Sequence, residues 1–322
     1  MAESFESIQA DSKSKATVKN YEKRNKRFLT WLRSNEPSCW DDGSADVLLE
    51  RISTVILLRY LAAESYSADG KMKSYSTPEG CHSAILALFS EGHCVVPADF
   101  NREWQKFSKG LRNRIATEQQ AGHIPISGSD KLTMDQYKCL CLIAIRSETF
   151  FAHGFLVLAW NAMTRSGDTG DIKYEHLSMI GDHISISIPR HKGDSTGEST
   201  PTGKAIYANP MFPEVCPFLA LSLVLLSRET FVGQDSVIFG SKSKDSFNTW
   251  LKGEHLEDDT SNCLNVAHLT SHCTRKGSTS YVVALPGLAS VLAVFLRAGW
   301  RLRGVLPVYL TQEMAGDQMV RA

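Results

Sequence analysis

Apolar residues recur at helical spacing through the first third of the chain. Val18, Tyr21, Phe28, Trp31 and Leu32 form one stripe of a helix that starts near Thr17, because positions three and four apart share a face. The same rule predicts helices over 45–64, on Val47, Leu48, Leu49, Ile52, Val55, Ile56, Leu57 and Leu61, then over 77–91 and 100–117. The last of these carries Trp104, Phe107 and Leu111. Residues 118–131 are rich in Gly, Ser, Gln and Pro without apolar periodicity, which predicts a linker. Helical spacing resumes at 133–147, with Thr133 placed as a cap before Met134, and again at 149–163. A Gly-Asp-rich turn follows Arg165. The alternation His183-Ile-Ser-Ile-Ser-Ile-Pro189 then predicts a strand with its isoleucines on one face. Residues 190–203 form a polar turn, and Lys204–Ala208 is the returning strand. The remainder is predicted helical outside a polar loop around 252–265, and the run Tyr281–Leu296, interrupted by Pro286 and Gly287, predicts two buried helices meeting at a turn.

These elements predict a mainly α chain in four parts. A polar tail over 1–12 is expected to be disordered, 13–118 forms a helical domain, 119–131 the linker, and 132–322 a mostly helical domain with a small antiparallel sheet. At 322 residues the chain is long enough for two domains that each bury a core. Its apolar and charged fractions, 43% and 22%, are those of a soluble globular protein. The interrupted apolar run is too short to span a bilayer, so no membrane partner is expected. The polar, acidic start Met-Ala-Glu-Ser-Phe-Glu-Ser does not fit a secretory signal.

Charge changes the picture locally. The formal net charge is zero, so nucleic-acid binding requires basic patches. Residues 13–33 hold eight basic side chains against the single acid Glu22, including Lys19, Lys23, Arg24, Lys26 and Arg27. A second basic segment carries Lys106, Lys109 and Arg112 beside Arg102 and Arg114. Either stripe alone is as well explained by a solvated helix face; together they form a candidate lining for phosphates. The eight cysteines form no Cys-x-x-Cys pair, which favours reduced thiols in an intracellular compartment. His176, His183 and His191 beside Asp182 and Asp194 fit no standard ligand spacing, so no metal is expected.

The candidate chemistry lies in an ordered set of side chains: Arg165 with Asp168, Lys192 in the polar turn, His272-Cys-Thr-Arg275, Trp300 and Tyr309. Cutting a phosphodiester requires a nucleophile, cations on the non-bridging oxygens, and an acid for the leaving oxygen. A phenol attacks phosphorus, although its pKa near ~10 calls for nearby cations or a base. Guanidinium forks match phosphate oxygens bidentately. The spacing of His272 and Arg275 puts both on one helix face. Gly277 and the small residues after it allow close packing, and Pro307 fits the first turn of a helix that fixes the phenol. Each member alone has an ordinary explanation, such as an ion pair for Arg165, a solvated turn for Lys192, or packing for Trp300 and Tyr309. Their order and spacing carry the weight.

That order resembles the tyrosine recombinases. Trp300 and Tyr309 are nine residues apart, Arg165 and Lys192 are 27 apart, and Arg275 and Trp300 are 25 apart, all similar to the family's pattern. Ser271-His-Cys-Thr-Arg-Lys-Gly277, Arg297-Ala-Gly-Trp300 and Gly316-Asp-Gln-Met-Val-Arg321 look most like the Crypton-type recombinases of eukaryotic DNA transposons. The segment Thr17-Val-Lys-Asn-Tyr21 with Phe28-x-x-Trp31 is similar to the family's core-binding domain. The resemblance implies a helical SAM-like core-binding domain followed by an α-rich catalytic domain with a small antiparallel sheet, the DNA breaking-rejoining enzyme fold.

The resemblance also implies roles. Tyr309 would form a 3′-phosphotyrosyl link and release a 5′-hydroxyl, Arg165 and Arg275 would clamp the phosphate, and Lys192 would protonate the leaving oxygen. His272 would act as acid/base or phosphate ligand, Trp300 as indole donor and packing group, and Asp168 as a brace. It implies double-stranded DNA as partner, a tetramer assembled on DNA, a nuclear location, and no small-molecule substrate, cofactor, metal or ATP. Two other readings stand beside it: a catalytically inactive, transposon-derived DNA-binding protein, and a type IB topoisomerase-like enzyme. The 13 residues after Tyr309 leave little of the helix by which family members dock onto neighbours, an expectation that fits a truncated or a degenerate copy.

Overall fold

Ser14 starts the first helix. Its Oγ accepts the Thr17 backbone N–H at 3.2 Å, satisfying one of the amides a helix leaves open at its N-terminus. The computed structural model describes residues 13–41, 46–123, 130–187, 203–227, 233–253, 269–285 and 290–300. The chain divides into two compact units, Met1–Ser127 and Gly128–Ala322.

The first unit contains α1 (Lys15–Asn35), α2 (Thr54–Glu64), α3 (Ser76–Glu91) and α4 (Phe100–Gln120). The expected helix over 45–64 is shorter than its apolar pattern. Val47 bridges Trp40 in an isolated β-bridge, Leu49–Arg51 is a single 3₁₀ turn, and Ser53 is extended before α2 begins. Pairing at Val47 takes the backbone out of helix, so periodicity there reflects burial rather than one continuous element. α4 runs to Gln120, into the stretch expected as linker. The core gathers Phe28 and Leu32 of α1, Leu57, Tyr60 and Leu61 of α2, Cys81, Ile85 and Phe89 of α3, and Phe100 and Trp104 of α4. The Phe28 and Tyr60 rings lie 4.9 Å apart, and the His82 ring stacks on Trp104 at 4.4 Å.

The second unit opens with α5 (Met134–Arg146). Thr133 Oγ1 accepts the Gln136 N–H at 3.2 Å while Gln136 Oε1 accepts the Thr133 N–H at 2.9 Å. This reciprocal pair satisfies two open donors. Thr133→Ala is expected to lower stability by about 1 kcal/mol, read as a lower urea midpoint at unchanged m-value.

α6 (Phe150–Asn161) follows, and every residue from Ala152 to Trp160 is buried. A helix apolar on all faces belongs at the centre of a core. It packs against α5, against α8 (Pro217–Leu226) and against α10 (Cys273–Ala284). The Tyr137 and Trp160 rings stack at 4.2 Å, and Phe155 packs on Phe247 of α9 (Ser243–Trp250) at 4.5 Å. His153 is buried within α6 with Nε2 2.7 Å from the Glu214 carbonyl; burial lowers its pKa, so it stays neutral as a core histidine. Two short elements complete the unit, α7 (Ser166–Gly170) and α11 (Val291–Arg297).

Three strands form one antiparallel sheet in the order β1 (Leu177–Ile180), β2 (His183–Ile186), β3 (Lys204–Tyr207). Register pairs Leu177 with Ile186 and Ile184 with Ile206. The isoleucine strand and its return are where the alternation predicts them, but β1 was not anticipated. Met179 and Ile180 are exposed, so this edge strand lacks the inward–outward alternation that marks a half-buried one. The turn after Arg165 is also more ordered than expected, since Ser166–Gly170 is helical. No described helix is long and apolar enough to cross a membrane.

Candidate active site

Two helix ends deliver the chemistry of the second unit. α6 ends in a turn with Met163 left-handed at φ 49°. There the Met163 N–H donates to the Trp160 carbonyl at 3.2 Å and the Thr164 N–H to the Ala159 carbonyl at 3.3 Å. This is the Schellman pattern, usually built on glycine. A side chain with a Cβ pays roughly 1–2 kcal/mol in that region, and Met163 is fully buried. Arg165 emerges two residues later, extended at φ −72°, ψ 152°, as the residue that starts α7. Asp168, three residues on, places Oδ2 3.6 Å from Arg165 Nη1.

α11 ends in the same way. Gly299 has φ 63°, its N–H donates to the Leu296 carbonyl at 2.9 Å, and the Trp300 N–H donates to the Phe295 carbonyl at 2.9 Å. The apolar contact that accompanies this motif is Trp300 edge-on against Phe295, ring centroids 4.7 Å apart. The turn thus fixes Trp300, which stays partly exposed.

α10 supplies the other members. His272 stands at its N-cap and Arg275 lies in its first turn. Ser271 Oγ donates to Ser166 Oγ at 2.9 Å within the core, so the residues just before His272 and just after Arg165 are stitched together. The Ser271 N–H also donates to Asn248 Oδ1 of α9 at 2.9 Å. Arg275 is buried, donates through Nη2 to the Ala298 carbonyl, and places Cζ 5.6 Å from the Trp300 ring centre, a cation–π contact. A cavity of about 290 Å³ is lined by Thr270, His272, Arg275, Lys276, Thr279 and Trp300.

The electrostatics of this cluster are one-sided. Burial, and then the neighbouring Arg165, lower the Arg275 pKa to about 10. Burial lowers that of Arg297 to about 10. Burial followed by Arg297, Arg275 and Arg165 lowers the Lys204 amine to about 7, with Asp168 opposing. His272 is lowered by burial and then by Lys244, Arg275, Lys276 and Arg165, which leaves a neutral imidazole at pH 7. Burial and Asp168 in turn raise Asp171. Asp168 is the carboxylate that opposes these shifts at Arg275 and Lys204. Such crowding of cations favours an anionic occupant.

Five of the expected site residues in the second unit, Arg165, Asp168, His272, Arg275 and Trp300, come together. Lys192 and Tyr309 lie outside the described residues. Sequence reasoning assigned no part to Lys204, Arg297, Ser166 or Ser271. The available signal was a cation at the start of a buried strand and another ending the apolar run Val291–Leu296. Among the described residues no group of three or more His, Cys, Asp or Glu side chains is placed to hold a metal ion.

In the first unit Lys19, Lys23 and Lys26 are exposed on α1 at spacings of four and three, one helix face. Two of their neighbours are committed within the chain. Arg24 Nη1 donates to the Thr77 carbonyl at 2.9 Å and contacts Cys81 Sγ at 3.3 Å, while Arg27 pairs with Glu64. On α4, Lys109 is exposed, Lys106 pairs with Glu103 at 2.9 Å, and Arg112 stacks on Tyr75 at 4.2 Å while donating to its hydroxyl at 2.8 Å. Tyr75, Trp104, Lys109 and Arg112 share one groove of about 470 Å³.

No protein-family model matches the chain, and no curated protein matches its sequence. Solved structures do match. The XerH site-specific recombinase bound to difH substrate, a pre-cleavage complex, superposes with a TM-score of 0.51 at 11% identity, covering 93% of this chain and 74% of that one. A lambda integrase tetramer bound to a Holliday junction gives a TM-score of 0.51 at 16% identity, covering 92% and 75%. At these identities the likeness establishes the fold: mainly helical with a small three-stranded antiparallel sheet, the fold of the tyrosine recombinases.

Proposed function

We propose that this chain cuts and rejoins double-stranded DNA as a site-specific tyrosine recombinase. The observation that carries the reading is the convergence of Arg165, Arg275 and His272 beside Trp300, on the fold of such enzymes, with cationic charge that a phosphate would balance. In this reading the Tyr309 oxygen attacks phosphorus and the bond to the 5′-oxygen breaks. Lys192 gives that oxygen its proton, and Arg165 and Arg275 hold the non-bridging oxygens. Neutral His272 takes the phenol proton, a base made available because burial and flanking cations depress its pKa. Trp300 packs on the Arg275 clamp, and Asp168 orients Arg165. Rejoining reverses these steps with a 5′-hydroxyl as nucleophile, so the phosphotyrosine conserves the bond energy.

Lys19, Lys23 and Lys26, with Lys106, Lys109 and Arg112, would supply phosphate contacts along the duplex. Arg24 and Arg27 would act there mainly by shaping α1, given their internal partners. Assembly as a tetramer on DNA, nuclear location and descent from a Crypton-type transposon belong to the same proposal. The support for the last is sequence likeness in Ser271–Gly277 and Arg297–Trp300.

The test is covalent trapping. The full chain is incubated with nicked duplexes carrying randomised sequence, and DNA that stays attached to denatured protein is sequenced. The expected result is an adduct enriched in one sequence and absent from Tyr309→Phe. Sequence-specific binding without an adduct favours an inactive DNA-binding protein. Relaxation of supercoiled plasmid with no enriched sequence favours a type IB topoisomerase-like enzyme.

A further inference from the structure

We infer that Lys204 is a positioning residue for the anion site: its amine, together with the Arg297 guanidinium, braces the strained turn that presents Arg165. The inference rests on the anion-binding reading above and adds a residue outside the ordered set. The C-terminal carbonyls of a helix are open acceptors at the negative end of its dipole. At the end of α6 the Asn161 and Ala162 carbonyls are held by cations from other elements, the buried Arg297 and the half-buried Lys204. Lys204 Nζ donates to the Ala162 carbonyl at 2.8 Å. Arg297 donates to the Asn161 carbonyl at 3.0 Å through Nε and at 2.9 Å through Nη2, and to the Ala205 carbonyl at 3.0 Å. Ala205 follows Lys204 on β3, so β3, α6 and α11 meet at one point.

Between that point and Arg165 lie only Met163 and Thr164. Met163 keeps its left-handed conformation packed among Val282 of α10, Val294 of α11 and Ala298. Left-handed non-glycine residues persist where their surroundings over-determine them. Here the surroundings are the two cations and the α10–α11 contact. Arg297 lies three residues before Trp300, so the same brace sets the frame for both sides of the site. The charged groups facing the Lys204 amine are Arg297 of α11, Arg275 of α10, and Arg165 with Asp168 of α7. Burial and the three cations, opposed by Asp168, lower the amine to about 7, so its charge is lost as pH rises through that value and is gone by pH 9. It remains a donor in either state and adds a charge only at lower pH.

The probe is inorganic sulfate, whose charge is constant from pH 6.5 to 9, titrated against the full chain and followed by the Arg165 Nε–H resonance. At pH 9, where charge on Lys204 contributes nothing, Lys204→Met is expected to bind sulfate about tenfold more weakly than wild type, the effect of one lost buried hydrogen bond. Lys204→Gln, which retains an N–H donor, is expected to recover most of that loss. Wild-type affinity falls as pH rises through about 7, and both variants lack this step. Thermal melts at each pH separate loss of the fold from loss of the brace. Equal sulfate affinity of Lys204→Met and wild type at pH 9 would overturn the inference, as would loss of sulfate binding in Lys204→Gln equal to that in Lys204→Met. Absence of sulfate binding to wild type overturns it too. A wild type that binds sulfate as described but forms no DNA adduct defeats the recombinase reading and leaves the brace standing.

Discussion

Arg275→Met is expected to remove covalent adduct formation by roughly 10²–10³-fold, the cost of deleting one preorganised donor to a developing oxyanion, while leaving the fold intact. The two halves of this prediction have opposite physical origins. Arg275 is buried next to Arg165, and both circumstances disfavour its charge, which is why its pKa falls to about 10. Still charged at pH 7, it is held in an environment that opposes it, and the protein gains nothing in stability from the charge itself. An apolar side chain of similar length relieves that opposition, and replacing buried charge by fitted apolar atoms is often neutral or stabilising. Against this stands the lost bond to the Ala298 carbonyl. The expected balance is a stability within about 1 kcal/mol of wild type, read by urea denaturation. Adduct formation on the enriched nicked duplex is the second measurement. A large loss of stability would make Arg275 a structural strut, and unchanged adduct formation would remove it from the clamp.

The same contrast shows what could be read from the sequence. Long periodic helices were legible because burial imposes their spacing: α1, α3, α4, α5 and α6 all lie where apolar residues recur. The break before α2 was not, because a single β-bridge between Trp40 and Val47, seven residues apart, leaves no period. β1 was missed because its exposed Met179 and Ile180 invert the usual rule. Within the site, order and spacing single out Arg165, Asp168, His272, Arg275 and Trp300, and these fall together. Lys204 and Arg297 act by capping carbonyls of α6, and nothing in the spacing of a lone lysine tells which helix end it will meet. In α1, alternation of lysine and arginine suggested one uniform basic stripe. Packing divides it instead, with Arg24 turned onto α3 through Thr77 and Cys81 and Lys19, Lys23 and Lys26 left exposed.

Gly277→Ala carries the other large expected effect, and its sign decides between two accounts of α10. On helix propensity alone the change is favourable, since alanine in a helix interior is better than glycine by about 1 kcal/mol. If Gly277 merely tolerated its place, the variant would melt higher. The geometry argues the reverse. A Cβ at Gly277 would stand 2.2 Å from the Leu132 carbonyl oxygen and 2.8 Å from the Trp160 ring. Neither neighbour can yield cheaply. The Leu132 backbone is fixed by its N–H bond to the Cys273 carbonyl at 3.2 Å and by Thr133, which caps α5 immediately after it. Trp160 is stacked on Tyr137 at 4.2 Å. α10 must therefore move outward, and a forced shift in a packed core costs roughly 1–3 kcal/mol, occasionally more. The net expectation is destabilisation, seen as a lower urea midpoint. Arg275 lies two residues before Gly277 on the same helix, so an outward shift also strains its reach to Ala298 and its contact with Trp300. Sulfate affinity should then fall in the molecules that remain folded, well below the midpoint of unfolding. A variant that melts higher with unchanged sulfate binding would mean that α10 does not depend on close approach to Leu132, and that the site tolerates movement of the helix bearing Arg275.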